Sequence, residues 1–415
     1  MSSLAILPLY GVGEIEGLFF DHALDPEAVA NFPILNYSVR EVRRAGELLK
    51  GSIPWNSAEE QAEALKTFAI ANNWRDSHAY PMRRIRNELG GHLQKVRLRQ
   101  SGITAARLKR MQSIRRKLGL IPGNLTQLQD LAGCRVIVPT YDDVKKIIDY
   151  NINNSSHNWF RDYDYVSNPK SDGYRCFHRV FKFKANTIEE EIYADRRVEI
   201  QIRSRLQHSW ATAVEAVGLF RGEDIKGGQG NPDWRRLFEL MSSEFALAEG
   251  CPELANAPSH KDRVSEIKDI DSRIDAANIL EHLSQAFEYT EMYSYEKAKY
   301  FLIEYDSKAS SVKVRPYSDP KGGTESFDNI EADIRQGSSV NAVLVEADKI
   351  ESLKEAYPNY FGDVQVFKSN LKRITKGRDA KEFKLPPQQV MPPPPKAVPD
   401  TAWFRRHRFR KPKGA

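Results

Sequence analysis

Apolar residues recur along the chain at intervals of two in some stretches and of three or four in others, and the switches between the two periods mark the elements. In VEIQIRS, Val198, Ile200 and Ile202 alternate with Glu199, Gln201 and Arg203, which predicts a strand with an acid, an amide and a guanidinium on one face. The following RLQHSWATAVEAVGLF places Leu206, Trp210, Val214 and Val217 on one side of a helix. Upstream, DLAGCRVIVP reads as a turn running into a buried strand over Cys134 to Val138. YDDVKKIIDYN then reads as a helix with Val144, Ile147 and Ile148 inward, completing a βα unit. NPKSDGY is a loop by composition and feeds a strand through RCFHRVFKFK. Between Thr104 and Leu118 the spacing of Leu108, Met111, Ile114 and Leu118 predicts a further helix, ended by LGLIPGN. Ser38 with Glu41, and Ser57 with Glu60, have capping-box spacing, and the first of these helices should close near Gly51.

This order is that of an α+β fold around a mixed β-sheet with flanking helices, ending near Gly250. After CPELANAPSHKDR the pattern starts again, with a helix around Ala276 to Tyr289, strands YFLIEYD and SSVKVRPYS, a helix near Asn329, strand NAVLVEAD and helix IESLKEAY. Four parts result: a helical lead (1–75), the first α+β domain (76–250), a second small α+β domain (265–375) and a tail (376–415). The tail is rich in Pro, Lys and Arg and too poor in apolar residues for a core, so it is expected to be disordered. No internal repeat is present.

The 415 residues, 40% of them hydrophobic, suit two or three folded domains. No run has the length of a membrane span, and MSSLAILPLYGVGEIEG lacks the basic start and small-residue cleavage site of a signal peptide. A cytoplasmic protein with no membrane partner is the expectation. Cys134, Cys176 and Cys251 are far apart with no CxxC pair, which reads as three buried hydrophobes and argues against a disulfide framework or a structural zinc.

The net charge of +6 is modest, but its distribution is not even. Between Met82 and Leu118 twelve Lys or Arg (83, 84, 86, 95, 97, 99, 107, 109, 110, 115, 116, 117) stand against the single acid Glu88. Such a run either docks an anion or forms a solvated helical face. Asp130 before one buried strand and Glu199 within another are two carboxylates of the kind that hold a hard divalent cation against substrate phosphates. The alternative is that they face solvent or pair with Arg135 and Arg203. Arg107, Lys109 and Arg116 lie close enough in sequence to Asp130 to hold a polyphosphate there. Gly173 offers a flexible backbone, Tyr174 an aromatic face for a base and Lys170 a charge for a phosphate, unless Tyr174 is a core aromatic.

ARLKRMQSIRRKL, DLAGCRVIV, RDYDYVSNPKSDGYRCFH and VEIQIRS with the following His208 and Trp210, in that order over about Arg75 to Gly218, resemble the synthetase domain of the RelA/SpoT family. The resemblance implies a nucleotidyltransferase-like mixed β-sheet and an enzyme that transfers the β,γ-pyrophosphate of ATP to a ribose 3′-hydroxyl of a guanine nucleotide, making (p)ppGpp. It implies Mg2+ on Asp130 and Glu199, the latter also a base. Arg107, Lys109 and Ser113 match the helix that binds the ATP phosphates, with Arg116 and Arg135 in support. Lys170, Tyr174, His178 and Gln201 match residues that grip the acceptor, Tyr174 stacking on its base, and Arg161 matches a phosphate-supporting position. No His-Asp dipeptide occurs, so the hydrolase half of the long family members is absent from this sequence.

Two positions beside the expected acceptor depart from the family pattern: Tyr163 stands in RDYDY where a basic residue is usual, and Asp172 where many members have Asn. Losing a cation and gaining an acid weakens a grip on 5′-phosphates. Three readings stay open: a (p)ppGpp synthetase, a toxic synthetase acting on the tRNA 3′-CCA end or an adenine nucleotide, and a catalytically inactive nucleic-acid-binding module. The tail segment WFRRHRFRKPK offers cations and rings for RNA. Oligomeric state and the ligand of the second domain are not specified by any motif.

Overall fold

The computed structural model describes residues 29, 32–221, 223–291, 298, 300–306, 311–335, 340–346 and 360–382. The segment IESLKEAY and the tail beyond Glu382 lie outside the described residues. In the helical lead, α1 (Val39–Lys50) and α2 (Ala58–Asp76) open on complete capping boxes at Ser38/Glu41 and Ser57/Glu60, and α1 ends at Gly51 as expected. Helix α3 (Ala79–Lys95) follows.

Residues Thr104 to Leu118 are not one helix. They divide into strand β1 (Ile103–Leu108) and helix α4 (Met111–Leu120). Met111, Ile114 and Leu118 are the buried positions of α4, so the helical period was sound from Met111 onward; Leu108 fell on it by coincidence. Ala105, Ala106 and Arg107 favour a helix, but the buried strand β2 (Ala132–Val138) needs a partner on its free edge. β1 supplies it in antiparallel register from Ile103↔Ile137 to Leu108↔Ala132. Pairing with a core strand outweighs local preferences of a few tenths of a kcal/mol per residue.

After β2 come α5 (Tyr141–Asn154), β3 (Asn158–Asp164), β4 (Phe177–Lys182), β5 (Arg197–Ser204) and α6 (Arg205–Arg221). The five strands form one mixed sheet in the order β1-β2-β5-β4-β3, with β2 and β5 parallel and every other pair antiparallel. Strand β3 was not predicted; its exposed and half-buried residues carry no alternation to read. Ala132, Cys134, Val136, Val198, Ile200 and Ile202 pack with Phe177, Phe181 and the apolar residues of α3 and α5 on one face. The opposite face is left for polar side chains. Helix α4 is anchored separately, Met111, Ile114 and Leu118 packing with Val42, Phe68 and Trp74 of the lead.

Helices α7 (Pro232–Glu249), α8 (His260–Ile274) and α9 (Ala276–Glu291) lead to a three-stranded antiparallel sheet, β7-β6-β8, of β6 (Tyr300–Asp306), β7 (Ser311–Tyr317) and β8 (Val340–Glu346). Helix α10 (Pro320–Arg335) lies between β7 and β8 in sequence, and α11 (Tyr360–Ile374) ends the described chain. Among the described residues, this second unit shares its core with the first. Phe301, Val364, Phe367 and Leu371 join one apolar cluster with Trp210, Val214, Phe238 and Phe245 of α6 and α7. The Phe367 ring lies 5.6 Å from that of Phe238 and 5.8 Å from that of Phe245. Buried within the same contact, His208 Nε2 lies 3.0 Å from Asp363 Oδ2.

The tail was expected to be disordered from Lys376, but residues 376–382 are described and held. The side chain of the buried Asn370 donates to the Lys381 carbonyl at 2.9 Å and accepts from the Lys381 amide at 2.7 Å, and Arg205 pairs with Glu382 at 3.2 Å. A short polar segment needs no apolar content to be ordered when a buried amide satisfies its backbone. All three cysteines are buried and free, as their spacing suggested.

Because Phe367 fills space between α6 and α7, Phe367→Ala should lower stability by about 3–5 kcal/mol. Urea unfolding monitored by circular dichroism should show one cooperative transition moved to lower denaturant. An early, separate transition of the C-terminal unit, with the remainder unmoved, would contradict the shared core.

Candidate active site

At one end of the polar sheet face the Lys109 amide donates to the Leu131 carbonyl at 2.7 Å, tying the end of β1 to the turn before β2. That turn carries Asp130. Its Oδ2 accepts from Lys109 Nζ at 3.0 Å and from Lys117 Nζ, on α4, at 2.7 Å. Burial works to raise the Asp130 pKa, but the two ammoniums more than offset it and hold the carboxyl below its usual range. Burial also draws Lys109 down, against the pull of Asp130. Asp130 Oδ1 is buried and has no hydrogen-bond partner among the described residues. Lys109 and Lys117 are thus the cations seen paired with Asp130.

Glu199 follows from strand register. Parallel pairing of β2 with β5 sets it opposite Gly133, three residues after Asp130, and antiparallel pairing with β4 sets it opposite Val180. Its Oε1 lies 3.1 Å from His178 Nδ1, and its Oε2 accepts from Gln201 Nε2 at 2.8 Å. The chain of contacts continues. Gln201 Oε1 accepts from Arg203 at 2.8 Å, Arg203 also donates to the Tyr174 hydroxyl at 3.3 Å, and that hydroxyl lies 2.8 Å from His178 Nε2. Burial opposes a charge on His178, but Cys176 and Glu199 beside it push its pKa up to about 9. A protonated imidazole donates from both nitrogens, to Glu199 and to the tyrosine oxygen. Burial would raise Glu199, yet the contacts with His178 and Gln201 keep it below the usual carboxylate range.

The loop before β4 shapes the far wall. Gly173 has φ of +94°, and an added Cβ would stand 2.8 Å from Ser242 Cβ, so a side chain is excluded on both counts. Ser242 Oγ donates to the Gly173 carbonyl at 2.6 Å, and Asp172 Oδ1 accepts from the Tyr174 amide at 2.9 Å. Lys170 Nζ then lies 4.7 Å from the Tyr165 ring centroid and 5.1 Å from that of Tyr174, with the Arg203 guanidinium 5.7 Å from the latter. Tyr174 meets Trp210 of α6 edge-on at 6.4 Å.

These groups surround a cavity of about 590 Å3, to which α6 and α7 also contribute wall residues. Nine of the residues singled out in the sequence line it, namely Arg107, Lys109, Asp130, Arg135, Lys170, Tyr174, His178, Glu199 and Gln201, as do the two divergent positions Tyr163 and Asp172. Ser113, Arg116 and Arg161 are not among its lining residues. Ser113 is on the exposed side of α4, Arg116 pairs with Asp224 across the surface, and Arg161 bonds the Tyr163 hydroxyl at 3.3 Å. Of the basic run, only Arg107, Lys109 and Lys117 line the cavity; the rest is spread over α3, the turn before β1 and the outer faces of α4. Sequence reading counted Lys117 only within the basic run, named Arg203 only as a possible partner of Glu199, and did not single out Glu215. Lys117 is one helical turn beyond Ser113, a spacing that could have marked it; Glu215, held below its usual pKa by Lys226, by Arg107 and by Arg135, required the fold.

The family described as "Region found in RelA / SpoT proteins" matches residues 106–222. Over those residues the chain is similar to that region. Two curated relatives, both from Bacillus subtilis (strain 168), are the GTP pyrophosphokinases YjbM, 29% identical over 90 residues, and YwaC, 27% identical over 128 residues. Those alignments take in 22% and 29% of this chain and 42% and 60% of the relatives, so less than two thirds of either relative is spanned. Small alarmone synthetase 1 from Bacillus subtilis, in its crystal structure bound to its product pppGpp, shares 19% identity. That alignment covers 45% of this chain and 94% of that one with a TM-score of 0.37. The match runs from within β1 to the end of α6 and takes in both Asp130 and Glu199.

A His178 pKa raised in the folded state stabilises the protein fully below the unfolded histidine value of about 6.5. That contribution is lost as pH rises through about 9. In His178→Gln the stability measured by urea unfolding should vary less between pH 6.5 and 9.5 than in the wild type. Equal slopes for the two proteins would remove the charged His178 from the site.

Proposed function

We propose that the chain is a pyrophosphokinase that moves the β,γ-pyrophosphate of ATP to the ribose 3′-hydroxyl of an acceptor nucleotide. The observation that carries this reading is the placing of two half-buried carboxylates, Asp130 in the turn before β2 and Glu199 on the parallel neighbour β5, between two unlike sets of groups. Lysines and arginine stand on one side, and a hydrogen-bonded tyrosine, histidine and glutamine on the other. Phosphoryl transfer asks for positioning and charge neutralisation rather than covalent chemistry by the protein, and this arrangement offers both.

The residues fit a divalent cation such as Mg2+. Asp130 keeps one buried oxygen without a hydrogen-bond partner, and two carboxylates suit an ion that completes its shell with water and substrate phosphates. Such an ion, when bound, neutralises phosphate charge. Arg107, Lys109 and Lys117 would then hold the phosphates of ATP, the lysines turning from Asp130 towards them. On the other side Lys170, Tyr174 and Gln201 would orient the acceptor so that its 3′-oxygen faces the β-phosphorus. That oxygen forms the new bond as the bond from the β-phosphorus to the bridging oxygen of AMP breaks, the electron pair leaving with AMP. Glu199 takes the hydroxyl proton. A carboxylate held below its usual pKa is a weak base, which suffices for a loose transition state in which the proton leaves late. His178 positions Glu199 and keeps it ionised.

The names of the two relatives support a guanine nucleotide as acceptor. A second reading, the 3′-terminal nucleotide of a nucleic acid such as tRNA, draws on Tyr163 and Asp172 at the cavity wall, where an acid and a neutral ring favour 5′-polyphosphate less than cations would.

Glu199→Gln and Asp130→Asn should each lower kcat by at least about a hundredfold while circular dichroism and the melting curve stay native-like. Lys109→Ala and Lys117→Ala should raise KM for ATP more than that for the acceptor, and Tyr174→Ala should do the reverse. Turnover with labelled ATP and GDP, GTP, ADP or deacylated tRNA measures all of these. Near-normal turnover in both carboxylate variants would remove the reading.

A further inference from the structure

Behind the loop that carries Lys170 and Tyr174 lies a second cavity, of about 350 Å3, that no step of the proposed reaction uses. The loop is a wall common to both cavities. Lys170 and Asp172 line the larger one, whereas Pro169 and Ser171, the residues that alternate with them, line the smaller. Glu239 of α7 lines both. The turn is closed by its own backbone, Gly173 donating to the Lys170 carbonyl at 2.9 Å and Lys170 to the Tyr174 carbonyl at 3.2 Å.

The other walls come from Arg236, Leu240 and Ser243, at helical spacing on α7, and from residues 254–258 in the segment between α7 and α8. That segment is held in place. The buried Arg263 of α8 donates to Glu244 of α7 and to the Pro258 carbonyl, both at 2.6 Å, and pairs with Glu253. Two leucines, two prolines and two alanines make the lining largely apolar. Arg236 is the cation among the described residues that line it, and its charge is already engaged. It donates to both carboxylate oxygens of Glu266, at 2.6 and 2.9 Å, and to Glu239 at 3.3 Å. Ser243 is fully buried, yet its hydroxyl has no hydrogen-bond partner among the described residues. A hydroxyl left in that state costs stability, a cost that a bound molecule with a matching polar group removes.

We propose that this second cavity binds an uncharged heterocycle the size of a nucleoside, and that its occupant tightens the hold of the first cavity on the acceptor through the shared loop. The volume is at the low end of the range of roughly 300–1,000 Å3 for small-molecule sites, whose usual lining is apolar with a few polar groups. Phosphate is disfavoured, because two carboxylates already hold the lining cation. Ser243, Asn256 and Glu239 offer donors and acceptors to the edge of a ring. A molecule packed against Pro169 and Ser171 restrains the backbone that carries Lys170 and Asp172, so less ordering is left for the acceptor to impose. The coupling rests on the pyrophosphokinase reading; the site itself does not.

Adenosine and guanosine are the probes, titrated calorimetrically into the full-length chain. At least one should bind, and the corresponding monophosphate, AMP or GMP, should not displace it. Ala255→Trp, at an exposed position of the lining, should abolish binding in a folded protein by occupying the space. Ser243→Ala should weaken binding about three- to tenfold, the share of one hydrogen bond, while the melting temperature of the free protein does not fall. Tyr174→Ala, in the first cavity, should leave binding in place. In turnover assays the nucleoside should lower the acceptor KM at least about fivefold and leave that for ATP unmoved. No binding by either nucleoside, binding that survives Ala255→Trp, or displacement by the monophosphate at equal concentration would each overturn the site. A bound nucleoside that leaves the acceptor KM unchanged would overturn the coupling. Binding that is lost in Ala255→Trp, in a protein that transfers pyrophosphate to no acceptor, would leave the site standing and overturn the enzyme reading.

Discussion

The parallel pairing of β2 with β5 is the constraint on which the rest of the site depends. It brings Asp130 and Glu199 to the same region of one sheet, where burial and mutual repulsion both disfavour two negative charges. The fold answers with separate neutralising sets: Lys109 and Lys117 for Asp130, and His178 with Gln201 for Glu199. Because the sets differ chemically, the cavity acquires a cationic end suited to phosphates and an aromatic, hydrogen-bonding end suited to a base and a sugar. A single pairing of strands thereby separates the two ends.

The same architecture ties the catalytic region to the C-terminal unit. Helix α6 presents Trp210, Val214 and Glu215 to the cavity, while His208 and the apolar residues of its other faces pack against α11. One helix thus serves as cavity wall and as part of a shared core, and a dense core transmits displacement poorly absorbed elsewhere. The His208–Asp363 contact is buried on both sides, so separating α11 from α6 would expose it along with Phe367.

How far the sequence could be read depended on whether a feature was local. The capping boxes, the alternation in VEIQIRS and the loop NPKSDGY were legible because each is specified by neighbours within a few residues. Strand β1 was not, since Ala105, Ala106 and Arg107 prefer a helix and only the exposed edge of β2 makes them extended. The same limit hid Glu215 and the placing of Lys117 and Arg203, whose meaning lies in what they face. It also hid the order of residues 376–382, which comes from one buried amide on another element.

What the sequence by itself determined is the set of chemical groups and the elements that carry them: two acids at or near buried strands, a basic stretch before the first, and an aromatic, glycine-bearing loop before β4. Periodicity and composition suffice for these because secondary structure answers to spacing along the chain. Only the tertiary structure decided which groups meet. Asp130 joins Lys109 and Lys117, Glu199 joins His178 and Gln201, and the cations of β3, β4 and β5 gather on Phe160. Strand order and register set those encounters through contacts between residues far apart in the chain, and no local preference encodes them.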